Sequence, residues 1–252
     1  MLLVMEGTNC EDEAFRSFSE SGFDPKKVHV NELDHTALED FDAVYLPGGF
    51  SAGDYVRAGS LFASRLMASK SAELARFIDE GKPVIGVCNG FQILAESGLI
   101  PDVSHHGKRE VALASNISNR FECRLIYIRN VGRNRMLSEV AMDPTPVPVA
   151  HGEGRVVFSD KSIIEEMKQR GQILFAYSDP DGNTAGYPWN PNGSEENIAG
   201  MTNEEGNVIG LMPHPERLYY GYQLPYKLRT GKPTIGKQFF GAVHKYVMKV
   251  TA

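Results

Sequence analysis

One pentapeptide, Gly86-Val87-Cys88-Asn89-Gly90, limits what this chain can fold into more than any other feature. It follows the apolar residues Val84-Ile85 and opens a helical pattern that runs from Asn89 to about Ser97 and stops at Gly98. A reactive side chain with glycine two positions away on each side, at a strand-to-helix turn, has the context of a nucleophile elbow, with cysteine where G-x-S-x-G has serine. The demand is steric. Such a turn strains the backbone of its central residue, and side chains at the glycine positions would collide with the adjoining strand and helix. Cys88 is thereby predicted at a helix N-terminus, where unpaired N–H groups and the helix dipole favour the reactive thiolate.

The preceding chain supplies the sheet that an elbow needs. Leu2-Leu3-Val4-Met5 is a short apolar run that stops at Gly7, and Glu11 to Ser21 carries Ala14, Phe15 and Phe18 on roughly one helical face before Gly22. Lys27 to Val30 and Ala43 to Leu46 read as strands, the second ended by Pro47-Gly48-Gly49. A helical pattern covers about Leu61 to Asp79, with Gly81 and Pro83 as its stop. Strands alternating with helices predict an α/β fold: one doubly wound, largely parallel sheet flanked by helices. Ligands in such sheets bind beyond the carboxyl ends of the strands. The glycine-marked loops Glu6 to Asn9, Pro47 to Phe50 and Cys88 to Gly90 are therefore where chemistry is expected.

The second half changes character and should add some antiparallel strands. Phe121 to Val131 and Ile173 to Tyr177 read as strands, Lys161 to Arg170 as a helix, and Val208 to Met212 as a last strand running into Pro213-His214-Pro215-Glu216. Pro144-Thr145-Pro146-Val147-Pro148 reads as a break ahead of His151-Gly152-Glu153-Gly154. Residues 178–197, rich in Asp, Asn, Gly and Pro, read as a long ordered loop or lid. No repeat or linker divides the chain, so residues 1–252 are taken as a single domain.

Composition narrows the partners. The net charge of −6, with no block of Lys and Arg, gives no basic footprint for nucleic acid. No stretch approaches the roughly 18 apolar residues that span a membrane, and the apolar start Met1 to Met5 is too short for a signal peptide. Cys10, Cys88 and Cys123 are odd in number and widely spaced, which predicts neither a disulfide framework nor a zinc site and fits a cytoplasmic location. Cys10 also follows a strand but lacks the paired glycines, and Cys123, inside a strand pattern, reads as packing.

A cysteine nucleophile needs a base to take its proton and return it to the leaving group. Of seven histidines, His214 is best placed, since it follows an apolar strand at the carboxyl edge and stands two residues from Glu216. In extended chain the two side chains would point the same way, so the carboxylate can orient the ring. His151, between glycine-rich residues, is the second candidate, and the adjacent His105 and His106 read as loop. Acyl transfer also needs donors for the developing oxyanion. The Asn89 N–H is one candidate, and the Pro47 to Phe50 loop offers another. The consecutive Gly48 and Gly49 could adopt more than one backbone state there, which suggests gating by a partner.

The glycine-flanked Cys88, the upstream Pro-Gly-Gly loop and the late His214-Pro215-Glu216 together resemble the triad-type, class I glutamine amidotransferases. The resemblance implies a flavodoxin-like doubly wound α/β fold and a Cys88–His214–Glu216 triad. It also implies oxyanion donors at Gly49 and Asn89, with Gly48 beside them, and substrate contacts from Gln92 and, around His151 to Glu153, from Gly152. Finer strings narrow the branch: Gly7 to Glu11, Gly48 to Tyr55, Cys88 to Gln92, Asn119 to Arg124, His151 to Arg155, Asn190 to Ser194 and Met212 to Arg217. They resemble the glutaminase subunits of phosphoribosylformylglycinamidine synthase. That implies L-glutamine as substrate, and ammonia passed to a synthetase subunit, with a small accessory subunit, in purine biosynthesis. No cofactor is implied in this chain; ATP and Mg would belong to the synthetase, and no phosphate-cradling Gly-x-x-x-x-Gly-Lys-[Ser/Thr] loop is present here. The tail from Leu218 and the stretch around Met142 to Val149 are longer than in the usual free-standing subunit. Two other enzyme readings are an amidotransferase subunit of another pathway and a same-fold cysteine hydrolase of γ-glutamyl or peptide bonds. A non-catalytic binding module is the reading from another class.

Overall fold

The computed structural model describes residues 1–105 and 107–251, so the expectation for His106 lies outside the described residues. In chain order the elements are β1 (Leu2–Val4), α1 (Glu11–Glu20), β2 (Lys27–His29), β3 (Val44–Leu46), α2 (Ser60–Asp79), β4 (Val84–Val87), α3 (Asn89–Glu96), β5 (Val111–Ser115), β6 (Glu122–Asn130), β7 (Thr145–His151), β8 (Glu153–Phe158), α4 (Lys161–Arg170), β9 (Ile173–Ser178), β10 (Ile198–Thr202), β11 (Val208–Leu211) and α5 (Ile235–Val250). A nine-stranded sheet runs β2-β1-β3-β4-β11-β10-β9-β6-β7. Its first five strands are parallel neighbours, and from β11 onward each pairing is antiparallel. A separate antiparallel pair joins β5 to β8.

The doubly wound arrangement follows from alternation along the strands. On β3, Tyr45 packs edge-on against Phe18 of α1 and near Phe240 of α5. The next residue, Leu46, points the other way, toward Gly90 of α3. One apolar cluster reaches from Met1 to Val247 and takes in both halves of the sheet. The central strands are buried throughout, Val84 to Val87 on β4 and Val208 to Leu211 on β11, which is why they read as unbroken apolar runs.

Three departures from the sequence reading matter for the site. The proline-rich segment expected to break the chain is a strand: β7 pairs with β6 from Tyr127↔Pro146 to Glu122↔His151. Proline is tolerated because β7 is the edge of the sheet, where a missing N–H costs no ladder bond if it faces outward. The carbonyl of Pro148 does face outward and accepts from the His214 N–H, 2.9 Å away. Second, β5, β8 and β10 were not anticipated, nor was α5. Third, the 178–197 segment is held down near its end: the fully buried Asn192 donates to Gly154 O (2.7 Å) and to Tyr177 Oη (3.1 Å).

Candidate active site

Cys88 sits at the carboxyl end of β4, between the parallel strands β3 and β11, with its N–H bound to Leu211 O (2.8 Å). Its backbone lies at φ 54°, ψ −106°, a conformation that costs a non-glycine residue strain. Both flanking glycines are obligatory. A Cβ at Gly86 would fall 2.3 Å from Gly90 O, and one at Gly90 only 1.9 Å from Leu46 O. The strand-to-helix turn read from the sequence is thus built as the pattern requires, and α3 begins at the residue after Cys88.

His214 leaves β11 through Met212-Pro213 and is 1% exposed; Glu216 is 2% exposed. His214 Nδ1 and Glu216 Oε1 are 2.5 Å apart. The two do not share an extended strand, as the spacing suggested. Pro215 opens a short 3₁₀ turn, Pro215–Leu218, and the carboxylate reaches the ring from its first turn. A hydrogen bond accepted from Nδ1–H leaves Nε2 for the nucleophile, and Nε2 is buried with no other protein partner among the described residues. Burial alone would lower the pKa of this ring. The Glu216 carboxylate and the Cys88 sulfur outweigh it and hold the imidazolium well above the usual histidine range.

Gly48 is the wedge that lets the parts meet. A Cβ there would lie 2.8 Å from His214 Cε1, 2.9 Å from Cys10 Sγ and 3.3 Å from Cys88 Cβ. Gly49, at φ 152°, runs against Gly7 O and Thr8, so it too has no room for a side chain. The Gly48 carbonyl accepts from Asn9 and Cys10 N–H, both at 3.2 Å, which turns the Gly49 N–H the opposite way. The peptide flip that two glycines permit would break both bonds. Among the described residues neither the Gly49 nor the Asn89 N–H meets a protein acceptor. The Asn89 side chain ties the two donors together: it accepts from Ser51 N–H (3.3 Å) and donates to Gln92 Oε1 (2.9 Å). We expect Gly48→Ala to lower turnover by about 100-fold or more, because the displaced ring and sulfur lose their alignment. Steady-state rates on a variant with unchanged circular dichroism check this, and a near-normal rate would contradict it.

The edge strand closes the site. Ala150 O, also facing outward from β7, is 3.7 Å from Cys88 Sγ. Gln92 is buried and donates to Glu153 O (2.9 Å), so its amide chiefly ties α3 to the start of β8. Gly152, between β7 and β8, accepts from Asn116 N–H (2.9 Å). His151 is 2% exposed, with Nδ1 3.0 Å from Asn116 Oδ1 and Nε2 unpartnered. Asp54, which the sequence reading passed over, is half-buried, with one carboxylate oxygen unpartnered; burial and the charge of Glu153 push its pKa up to about 6.

Burial, then the charge of His214, push the pKa of His151 down to about 3, so its ring is neutral where enzymes work. An unfolded chain takes up a proton at this residue below its ordinary value of 6.5, and the folded chain resists it until about 3. Stability should therefore fall with pH across that window, by up to about 1.4 kcal/mol per pH unit from this residue. As pH falls from about 6.5 to about 3, the urea midpoint of the wild type should drop more steeply than that of His151→Gln. Parallel declines would contradict this.

The other candidates lie elsewhere or act otherwise. His29 accepts from Asn31 N–H, exposed His105 pairs with Glu204, and His244 packs under Gly22. Cys123 is exposed. Cys10 is buried directly behind His214, 3.9 Å from Nδ1, and burial pushes its thiol up. Sequence spacing gave no sign of that neighbourhood, which only the fold creates.

A model of the CobB/CobQ-like glutamine amidotransferase domain matches residues 1–247. Among similar proteins, the phosphoribosylformylglycinamidine synthase subunit PurQ of Picrophilus torridus is 51% identical over 242 residues, covering 95% of each chain. The PurQ subunit of Archaeoglobus fulgidus is 42% identical over 239 residues, 88% of each chain. Among solved structures, PurLQS from Thermotoga maritima contains a chain that superposes with a TM-score of 0.75 at 31% identity, over 98% of this chain and 97% of that one. A glutamine amidotransferase from Thermotoga maritima shares the fold at 15% identity, with a TM-score of 0.54 over 100% of this chain and 97% of that one.

Proposed function

The chain belongs to the glutamine amidotransferase family, and within it to the PurQ subunits of phosphoribosylformylglycinamidine synthase; on that premise we propose that Cys88, His214 and Glu216 are the triad with which it hydrolyses glutamine. It is the glutaminase subunit of that synthase, in purine biosynthesis. The observation that carries the triad is the buried 2.5 Å contact between His214 Nδ1 and Glu216, with the free Nε2 left to a cysteine on a strained, glycine-flanked turn.

His214 rests as the imidazolium beside Cys88, whose sulfur reacts as the thiolate. The sulfur attacks the side-chain amide carbon of L-glutamine, and the Gly49 and Asn89 N–H groups receive the negative charge that moves onto the carbonyl oxygen. As the C–N bond breaks, Nε2 gives its proton to the departing nitrogen and ammonia leaves. The γ-glutamyl thioester remains on Cys88. The now neutral Nε2 takes a proton from water, whose oxygen attacks the thioester; glutamate leaves and the ion pair returns. Glu216 keeps the ring in place and stabilises its charged form throughout. The family resemblance supports giving Gln92 and Gly152 the substrate's other end.

The synthetase subunit receives the ammonia and converts formylglycinamide ribonucleotide to the amidine; ATP and Mg bind there, and this chain works without a cofactor of its own. A small accessory subunit completes the assembly. The reading takes residues 1–252 as one glutaminase domain in the cytoplasm. No helix among the described residues is long and apolar enough to cross a membrane. The test is nitrogen-15 tracing in the assembled complex. Glutamine labelled at the amide should pass its label into the amidine product while unlabelled ammonia is present in the buffer. Release of all label to the buffer, with none in product, would instead favour a free-standing hydrolase.

A further inference from the structure

Cys10 has no part in the chemistry derived above, yet it is buried against the catalytic histidine. Its sulfur lies 3.9 Å from His214 Nδ1, and the ligand atoms of Cys10, His214 and Glu216 all fall within 4.8 Å of one another. The second oxygen of Glu216, Oε2, is buried with no protein partner, in a carboxylate that is 0% exposed. Buried polar oxygens normally have a partner, so this one is an open ligand position.

We propose that Cys10, His214 Nδ1 and Glu216 form an inhibitory site for a thiophilic divalent cation, with Zn²⁺ as the type. The inference rests on the triad reading for its effect, and on the three side chains alone for binding. One sulfur, one imidazole nitrogen and one carboxylate are a zinc donor set, with a fourth position open to water. Bond lengths of about 2.3 Å to sulfur and about 2.1 Å to nitrogen add to more than the present S···N gap, so one ion reaches both without backbone movement. The neighbours allow it. Arg217 Nη2 donates to Cys10 Sγ at 3.1 Å and must swing away, but Glu13 already lies 3.7 Å from its Nε and can keep it. Asn9 Oδ1, 3.1 Å from the sulfur, loses only a weak thiol donor. Gly48 leaves the space beside the sulfur free of any side chain.

Binding balances simply. The cation takes the Cys10 thiolate, Nδ1 and the carboxylate; the thiol proton and the Nδ1 proton go to solvent. The ring keeps its Nε2–H. Giving that proton to the leaving ammonia would now leave an imidazolate, and the Glu216 hydrogen bond is gone, so the ring cannot cycle a proton and turnover stops.

Cobalt(II) is the probe, since a thiolate–cobalt bond has a strong near-ultraviolet charge-transfer band. The test chain carries Cys88→Ala and Cys123→Ser, which leaves Cys10 as its one cysteine. It should bind one equivalent of Co²⁺ with that band, Zn²⁺ should displace it, and a further Cys10→Ser should erase it. In the assembled complex, Zn²⁺ should inhibit glutamine hydrolysis reversibly by chelator. Half-inhibition of Cys10→Ser, relative to its own metal-free rate, should need at least about tenfold more zinc. No band in the test chain, a band that survives Cys10→Ser, or equal zinc sensitivity of the two enzymes would overturn the proposal. The cobalt band does not depend on activity, so a failure of the triad reading would leave it in place and a failure of the metal site would leave the triad intact.

Discussion

Replacing Cys88 by alanine should lower glutamine hydrolysis by about 10⁵- to 10⁶-fold, the scale on which a triad nucleophile is lost. The residual rate would come from binding and from the Gly49 and Asn89 donors acting on an amide that only water can attack. The same complex should still form amidine when ammonia is added to the buffer, because the synthetase step needs the nitrogen and not its source. The pair of assays separates loss of the nucleophile from loss of assembly. Cys10→Ser and Cys123→Ser should leave hydrolysis within a few-fold, since neither sulfur lies on the strained turn at the head of α3. A Cys88→Ala complex that hydrolyses glutamine normally would remove the nucleophile from the account.

His214→Ala should be nearly as damaging as loss of Cys88, and Glu216→Ala less so, on the order of 10⁴-fold. The histidine moves protons in both halves of the reaction, whereas Glu216 only orients and charges it. Members of one relay are not additive, so the Cys88→Ala, His214→Ala double variant should be no slower than either alone. Glu216→Gln has a second consequence. It removes the first of the two charges that hold the imidazolium up, so the alkaline limb of the pH–rate profile, where the imidazolium is lost, should move to lower pH. A Glu216→Gln enzyme with an unshifted profile would mean that the carboxylate does not tune the ring. His151 should not rescue either variant, since its pKa of about 3 leaves it a poor proton carrier.

The parts of this site that were legible in the sequence are those whose physics is local. Gly86 and Gly90 declare the elbow because a side chain at either would strike backbone, that of Gly90 in the following helix or that of Leu46 on the adjoining strand. His214-Pro215-Glu216 declares a histidine and a carboxylate in reach of one another, although the geometry joining them proved to be a 3₁₀ turn. The illegible parts depend on tertiary neighbours. Pro146 and Pro148 argue against a strand unless the strand is known to be an edge, and the fold alone decides that. With β7 missed, the carbonyls of Pro148 and Ala150 that hold His214 and face Cys88 could not be found, since backbone groups leave no mark in a sequence. The helix α5 was within reach: Ile235, Phe239, Phe240, Val243 and Val247 are buried at helical spacing behind a Thr234 cap. Cys10 shows the limit most clearly, because 204 residues separate it from the histidine it touches.

The most direct measurement of the central claim is to treat the chain with a glutamine analogue that carries an electrophilic carbon in place of the amide, then digest it and locate the adduct by mass spectrometry. The account predicts one adduct, on the peptide containing Cys88, blocked by excess glutamine and absent from His214→Ala at matched times, with Cys10 and Cys123 unmodified. Label on Cys10 with Cys88 untouched would contradict it, and the nucleophile would then have to be sought on the other side of the catalytic histidine.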